Sequence, residues 1–377
     1  MARGSSRGSD TRERKWEHIL ACVWEDVEAE ISPMFEDVRI IHRALPELDI
    51  SDVDTSVEVF GKRISFPLII AGMTGGHPKT GEINRRLAII ARKLNIGLGV
   101  GSQRAGVEDP DVRWTFEIVR EEYPDGLVLA NIGLPQLREG GPDLAQEVVD
   151  MVDADALAVH VNVLQEAVQL EGEADAAGFI EVLEEVSEAL DVPVVLKETG
   201  AGVSAEDAKA VGDLVDGIDV GGAGGTNWAV VEAVRSKAHG ETPLGYAFSS
   251  WGIPTAASIL EVRGALGGGP VVIGTGGVRT GMDVAKALAL GSDCAGMALP
   301  VLRKLLAEGI HGCVRFLRAL AKEVKIAMLL TGSKNVKDMA KSPIVICGSL
   351  REWLESRGAP INKICRGDRR EVTWFDG

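Results

Sequence analysis

His160, Asn162, Gln165 and Glu166 fall within seven residues, in the stretch HVNVLQE. They follow Ala156-Leu157-Ala158-Val159, an apolar run of the kind that forms a buried strand. An imidazole, two carboxamides and a carboxylate at the end of such a strand must satisfy one another or hold a ligand, because unpartnered buried polar groups are costly. Residues two apart leave a strand on the same side, so His160 and Asn162 are expected to point together, with Gln165 and Glu166 in the loop beyond. A single carboxylate with no second acid beside it does not make a transition-metal site. It suits Mg2+, which takes few protein ligands and keeps waters and phosphate oxygens. Capping of the following helix is the other role open to Glu166.

Small, polar or glycine-rich segments recur along the chain: MTGG (73–76), GSQR (101–104), NIG (131–133), KETG (197–200), GGAGGTNW (221–228), GTGGVR (274–279) and ALP (298–300). Glycines let backbone N–H groups approach phosphate oxygens, and a helix N-terminus adds its dipole. Arg104 could grip a diphosphate through two parallel hydrogen bonds. Thr226 can donate a hydroxyl. Lys197 ends an apolar run, so it must pair with a strand-end acid or face a ligand. Near the amino terminus, RERKWEH places Arg14 and Lys15 before His18, on a helix predicted to start near Thr11. That charge run is an ordinary solvated face unless the arm folds back over a site.

These segments need elements to hold them. Apolar runs predict strands at Pro67–Met73, Ile96–Val100, Leu127–Gly133, Ala156–Asn162, Val192–Glu198, Gly217–Gly222, Val271–Gly274 and Cys294–Leu299. Helical periodicity fills most gaps, as at Ala176–Leu190 and Ala205–Val215. Continuous apolar strands alternating with helices mean a parallel sheet covered on both faces. Eight of them predict an α/β fold of the (β/α)8 TIM-barrel type with an N-terminal basic arm. In such a barrel chemistry gathers at the carboxyl ends of the strands, and the loops after strands seven and eight are the usual phosphate position. An open doubly wound sheet fits less well, since no early GxGxxG turn is present. No internal linker divides residues 1–377, which read as one domain. Residues 1–10 read as disordered, and for the tail 366–377 the pattern sets no element.

The 377 residues carry a net charge of −16 and a pI near 4.9, which argues against nucleic acid and anionic membrane surfaces as partners. Five scattered cysteines without a framework suggest reduced thiols and a cytoplasmic protein. No apolar stretch reaches 18 residues, and no signal peptide is evident.

In order along the chain, these segments resemble type 2 isopentenyl diphosphate isomerase, an FMN-dependent (β/α)8 enzyme of isoprenoid biosynthesis. The resemblance runs from RKWEH to about Gly358, through AGMTGG, GSQR, NIG, HxNxLQE, VVLKE, GGAGGTNW, WGIPTA and GGVRTG. It departs at the valine before LQE and in the polar tail. The resemblance implies isomerisation of isopentenyl diphosphate to dimethylallyl diphosphate by a 1,3-allylic proton transfer. FMN would be held by Met73, Thr74, Gly75, Ser102, Asn131, Lys197 and Thr226, with its phosphate at Gly277, Val278, Arg279, Ala298 and Leu299. The substrate diphosphate would meet Arg14, Lys15, Ser102, Gln103, Arg104 and His160. Gln165 would lie beside the isoprene unit and Glu166 would hold Mg2+, which makes His160, Gln165 and Glu166 the expected catalytic group.

NADPH or another reductant would keep the flavin reduced, and a homo-oligomer is the expected assembly. An alkene is a feeble base, so its protonation needs a strong, well-placed acid in a dry pocket. No paired carboxylates stand ready in this sequence, which assigns the acid and base to the flavin ring. The rival is an FMN-dependent oxidoreductase of the 2-hydroxy-acid oxidase type on the same barrel. By resemblance, those enzymes keep a histidine near strand seven, and Gly267 to Leu299 contains none.

Overall fold

Eight short apolar segments pair in parallel, in chain order, and close on themselves. They are β1 (Leu68–Ile70), β2 (Gly97–Gly99), β3 (Val128–Gly133), β4 (Ala156–Val161), β5 (Val194–Glu198), β6 (Gly217–Asp219), β7 (Val271–Gly274) and β8 (Cys294–Met297). Each lies inside its expected run, and β8 returns to β1 through Ala295–Leu68, Gly296–Ile69 and Met297–Ile70. This computed structural model describes residues 4–374 except Glu173, Asp368 and Val372, with side chains in the first helix from Arg12 onward. Register places Gly133 opposite His160, His160 opposite Lys197 and Lys197 opposite Asp219. These strand ends therefore lie side by side across β3 to β6 at the carboxyl mouth.

Five helices matter for the site: α1 (Gly4–Trp24), α2 (Val163–Val168), α3 (Trp228–Ala238), α4 (Thr255–Leu266) and α5 (Leu299–Thr331), the last broken at Gly309. Helix α1 begins ahead of the expected Thr11, as helices do when docked turns nucleate them and further residues add cheaply. Two antiparallel ribbons were not foreseen, Val57–Val59 with Lys62–Ile64 and Val38–Ile40 with Ile344–Ile346. Three-residue strands are too short for an alternating pattern to stand out. The first ribbon stoppers the amino-terminal end of the barrel. Its Val59, Phe60 and Ile64 pack on the inward residues Ile69, Leu129, Val195 and Ile273.

That end is fastened by a repeated device. Asp155, Asp216 and Asp293 each stand one residue before an even-numbered strand. Each accepts the backbone N–H of Val128, Val194 or Val272 in the preceding strand, at 2.8, 2.9 and 2.9 Å. Arg120 and Lys62 pair with Asp155, and Arg263 and Arg370 pair with Asp293. The polar tail belongs to this end. Arg369 donates to Ala340 O and Ser342 O, Arg370 to Asp293, and the Trp374 N–H to Gly264 O. All five thiols are unpaired. Among the described residues, no helix is long and apolar enough to cross a membrane.

Candidate active site

The carboxyl ends of the strands open into one hollow. Its walls bring together Arg14, Lys15, Ser102, Arg104, His160, Gln165 and Glu166 with Met73, Asn131, Lys197 and Thr226. Gly277, Val278, Arg279, Ala298 and Leu299 complete the far side.

Three expected residues do not open onto it. Gln103 is fully buried, donating its amide to Val148 O and accepting the Asn131 N–H, both at 2.8 Å. It precedes the short helix Arg104–Glu108, where consecutive side chains diverge, so Gln103 braces β3 while its neighbours face the hollow. Gly75 backs onto Phe116, whose ring a Cβ would strike. Thr74 is buried, and its carbonyl accepts from the Gly101 N–H and the Asn84 amide. The Thr74 hydroxyl has no partner among the described residues.

On the floor, Lys197 Nζ donates to Asp219 Oδ2 at 2.8 Å, and Asp219 also takes the Thr275 hydroxyl and the Gly221 N–H. Lys197 therefore pairs with a strand-end acid and also lines the hollow. His160 Nδ1 bonds Asn131 Oδ1 at 2.8 Å, and the Asn131 amide donates to Val100 O, which makes Nδ1 the protonated nitrogen. Burial, with Lys15 and Lys197 adding to it, pushes the His160 pKa down to about 3. The imidazole is neutral in the ligand-free enzyme. Glu198 Oε2 gathers the N–H groups of Gly200, Ala201 and Gly202 at 2.5, 2.5 and 3.0 Å. Burial nevertheless raises its pKa to about 7.

Helix α1 crosses the mouth as a lid. Lys15 Nζ reaches Ser102 O at 3.4 Å, and burial, seconded by Arg14 and Arg104, lowers its pKa to about 8. His18 Nε2 bonds Glu232 Oε1 at 2.9 Å, and the Gln165 amide donates to that same oxygen at 2.7 Å. Glu232 is fully buried on α3 and Arg235 bonds its other oxygen at 2.7 Å. Burial alone would raise the Glu232 pKa, but His18, Gln165 and Arg235 outweigh it and bring it to about 2. Glu232, Arg235 and Asp219 were missed from sequence. A signal existed: two charges three apart in WAVVEAVRSKA interrupt an otherwise apolar face.

HVNVLQE resolves into a strand end and the short helix α2. Asn162 donates to Glu166 Oε1 at 3.0 Å, and Gln169 to Oε2 at 2.5 Å. Among the described residues, no group of three His, Cys, Asp or Glu could hold a metal. Opposite, the two glycine loops nearly touch. Gly277 has φ +66°, and a Cβ there would meet Gly224 O at 2.5 Å and Pro33 at 2.7 Å. The result is bare backbone beside the amino terminus of α5, a fit for a phosphate. Arg279 serves as a brace in that corner: its guanidinium binds Glu28 at 2.6 Å and its N–H binds Asp283 at 3.0 Å.

Residues 143–346, just over half of the chain, match a family described as FMN-dependent dehydrogenase. The isopentenyl-diphosphate delta-isomerase of Methanopyrus kandleri is 79% identical over 359 residues, covering 95% of this chain and 98% of that protein. The protein of the same name from Methanosarcina mazei is 47% identical, covering 94% and 97%. Among solved structures, a mandelate oxidase with benzoyl-formic acid superposes with a TM-score of 0.62 at 20% identity, covering 90% and 98%, which speaks for the fold alone. With its barrel, its mouth and these relatives in agreement, the chain belongs to the isopentenyl-diphosphate delta-isomerase family, on the barrel shared with FMN-dependent dehydrogenases.

Proposed function

We propose that this enzyme converts isopentenyl diphosphate to dimethylallyl diphosphate by a 1,3-allylic proton transfer, using reduced FMN and Mg2+, with NADPH as the source of electrons. One observation carries the reading: a basic lid, the Glu166 carboxylate and a bare glycine cradle converge on one hollow. When bound, reduced FMN supplies ring nitrogens able to give and take the proton. Gly277, Val278, Ala298 and Leu299 would hold its phosphate, and Met73, Ser102, Asn131, Lys197 and Thr226 its ring and chain. Thr74 and Gly75 would support that wall from behind.

The chain's own groups divide the remaining work. Arg14, Lys15 and Arg104 would bind the diphosphate, and Ser102 would line its path. Glu166 would hold Mg2+ as a single protein ligand, with waters and diphosphate oxygens completing the shell, which is how this ion prefers to bind. His160, neutral before substrate arrives, would regain its proton beside two phosphates, since nearby negative charge favours the imidazolium. Gln165, its amide fixed on Glu232 and its carbonyl accepting from Asn162, would line the hydrocarbon's side of the hollow.

The lid excludes water from the reacting carbons, without which a carbocation-like centre would be hydrated. No side chain on this list is a free acid strong enough to protonate an alkene, so none is the sole essential acid or base. Anaerobic incubation with isopentenyl diphosphate, FMN, Mg2+ and NADPH should yield dimethylallyl diphosphate. A colourless protein that FMN does not reconstitute, or one that instead reduces oxygen with a 2-hydroxy acid, would sink the proposal.

A further inference from the structure

Arg235 carries a guanidinium that none of the steps above uses. It is 4% exposed and touches three carboxylates from three separate segments. Its Nε donates to Glu17 of α1 at 2.9 Å. Its Nη2 and Nη1 reach Glu171, in the loop after α2, at 2.7 and 3.3 Å. Its Nη1 also binds Glu232 of its own helix at 2.7 Å. Burial works against the charge, yet Glu171, Glu232 and Glu17 hold the guanidinium pKa above its ordinary value.

The three partners are not arbitrary surface acids. Glu17 lies two residues from Lys15, Glu171 five residues from Glu166, and Glu232 takes the Gln165 amide. Two of these segments thus carry the groups assigned above to the diphosphate, the Mg2+ and the hydrocarbon, and the third holds Gln165 by its amide. A guanidinium offers five N–H donors in a fixed plane and can serve three acids at once, which a lysine ammonium cannot do in the same geometry. His239 also reaches Glu17, at 3.2 Å, from an exposed position. It supports the Glu17 contact from outside.

We propose that Arg235 is a positioning residue, a latch that ties the α1 lid and the loop after the Glu166-bearing helix α2 to α3, and so couples lid closure to placement of the metal carboxylate. The role in substrate and Mg2+ binding rests on the function proposed above. Without the latch the lid spends part of its time open, and the apparent affinity falls by the fraction of closed enzyme.

The test uses the FMN-loaded enzyme and four variants: E17Q, E171Q, R235K and R235M. Glu17 and Glu171 are about one-third exposed, so their glutamine variants remove one arm of the latch without burying a new unpaired charge. Amide hydrogen exchange of α1, KM for isopentenyl diphosphate and the Mg2+ concentration giving half-maximal rate are measured in each. E17Q should speed exchange along α1 and raise KM roughly fivefold, the scale of one partly exposed ion pair. E171Q should raise the Mg2+ requirement and, through the shared guanidinium, speed exchange in α1 as well. R235M should show both effects at greater size, and R235K should recover only part of either.

If E17Q and E171Q lower the unfolding midpoint but leave exchange, KM and Mg2+ requirement at wild-type values, Arg235 is scaffolding and the latch is wrong. If E171Q changes the Mg2+ requirement while α1 exchange stays put, the coupling is wrong. Exchange reads the lid whatever the substrate, so failure of the wild type to isomerise the diphosphate would overturn the functional reading and leave the latch to be judged separately.

Discussion

The two ends of this barrel use charge in opposite ways. At the amino-terminal end Asp155 and Asp293 are enclosed between arginines and the backbone of the strand before them, and Asp216 holds the same backbone position. Every one of those groups has its partner inside the fold. At the carboxyl end Lys15, Arg14, His160 and Glu166 are brought together on one hollow, where burial lowers the pKa of both Lys15 and His160. The lesson is energetic. Charges in closed networks stabilise, whereas like charges gathered on a cavity carry a desolvation and repulsion cost that a diphosphate and Mg2+ would relieve.

The contrast can be broken most forcefully from below. Arg263 is 1% exposed and bonds Gly291 O, Gly267 O, Pro270 O and Asp293. Arg263→Met should cost about 3–5 kcal/mol of stability, the usual loss when one partner of a buried pair is removed. Denaturant unfolding measures this, and KM for isopentenyl diphosphate should not move. A parallel change in KM would mean that the two ends are not separate.

From above, Glu166→Gln should lower kcat/KM by about 100-fold, roughly 2.7 kcal/mol of transition-state stabilisation. Raising Mg2+ should not restore it, and the unfolding midpoint should hold. If stability falls as far as it does for Arg263→Met, Glu166 is a structural cap.

The smallest effect sharpens the comparison through pH. The Lys15 pKa sits near 8, lowered by burial first and by Arg14 and Arg104 next. Its ammonium is present below that pH, so diphosphate affinity should be full there and decline as pH rises through about 8. Lys15→Arg should remove that limb from the pH profile of kcat/KM, and an unchanged profile would take Lys15 out of the site. The linkage to folding has the opposite sense. Between about 8 and the ordinary 10.5 the folded state binds fewer protons than the unfolded one, so the free enzyme gains stability as pH rises over that window.

Sequence and structure agree where physics leaves one local solution. Eight apolar runs had to be buried on both faces, and the segments at their ends could only be turns at one rim. HVNVLQE, GSQR and GTGGVR were therefore placed without any knowledge of three-dimensional contacts. Gln103 escaped because its neighbours Ser102 and Arg104 do face the hollow, and a one-residue difference in direction depends on how the helix after β2 starts. Glu232 and Arg235 escaped for another reason. Their meaning lies in partners 60 to 220 residues away, among them Gln165, Glu171 and Glu17, and no spacing rule spans such distances. The tail was illegible because its anchors, Asp293 and Gly264, lie on elements that meet it only after the barrel has closed.

The aspartate that precedes β4, β6 and β8 bears on how such a chain finds its register. Its partner lies 27 residues back at Asp155, 22 at Asp216 and 21 at Asp293. Closing loops of that length costs little entropy compared with joining β8 to β1 across most of the chain. Parallel sheets are slow to assemble because their pairings are distant in sequence. Here three strand pairs can each lock their own alignment as independent β-α-β units, before the circle exists. The barrel then has few units left to search over, and a one-residue slip is penalised within each unit by a carboxylate left without its amide.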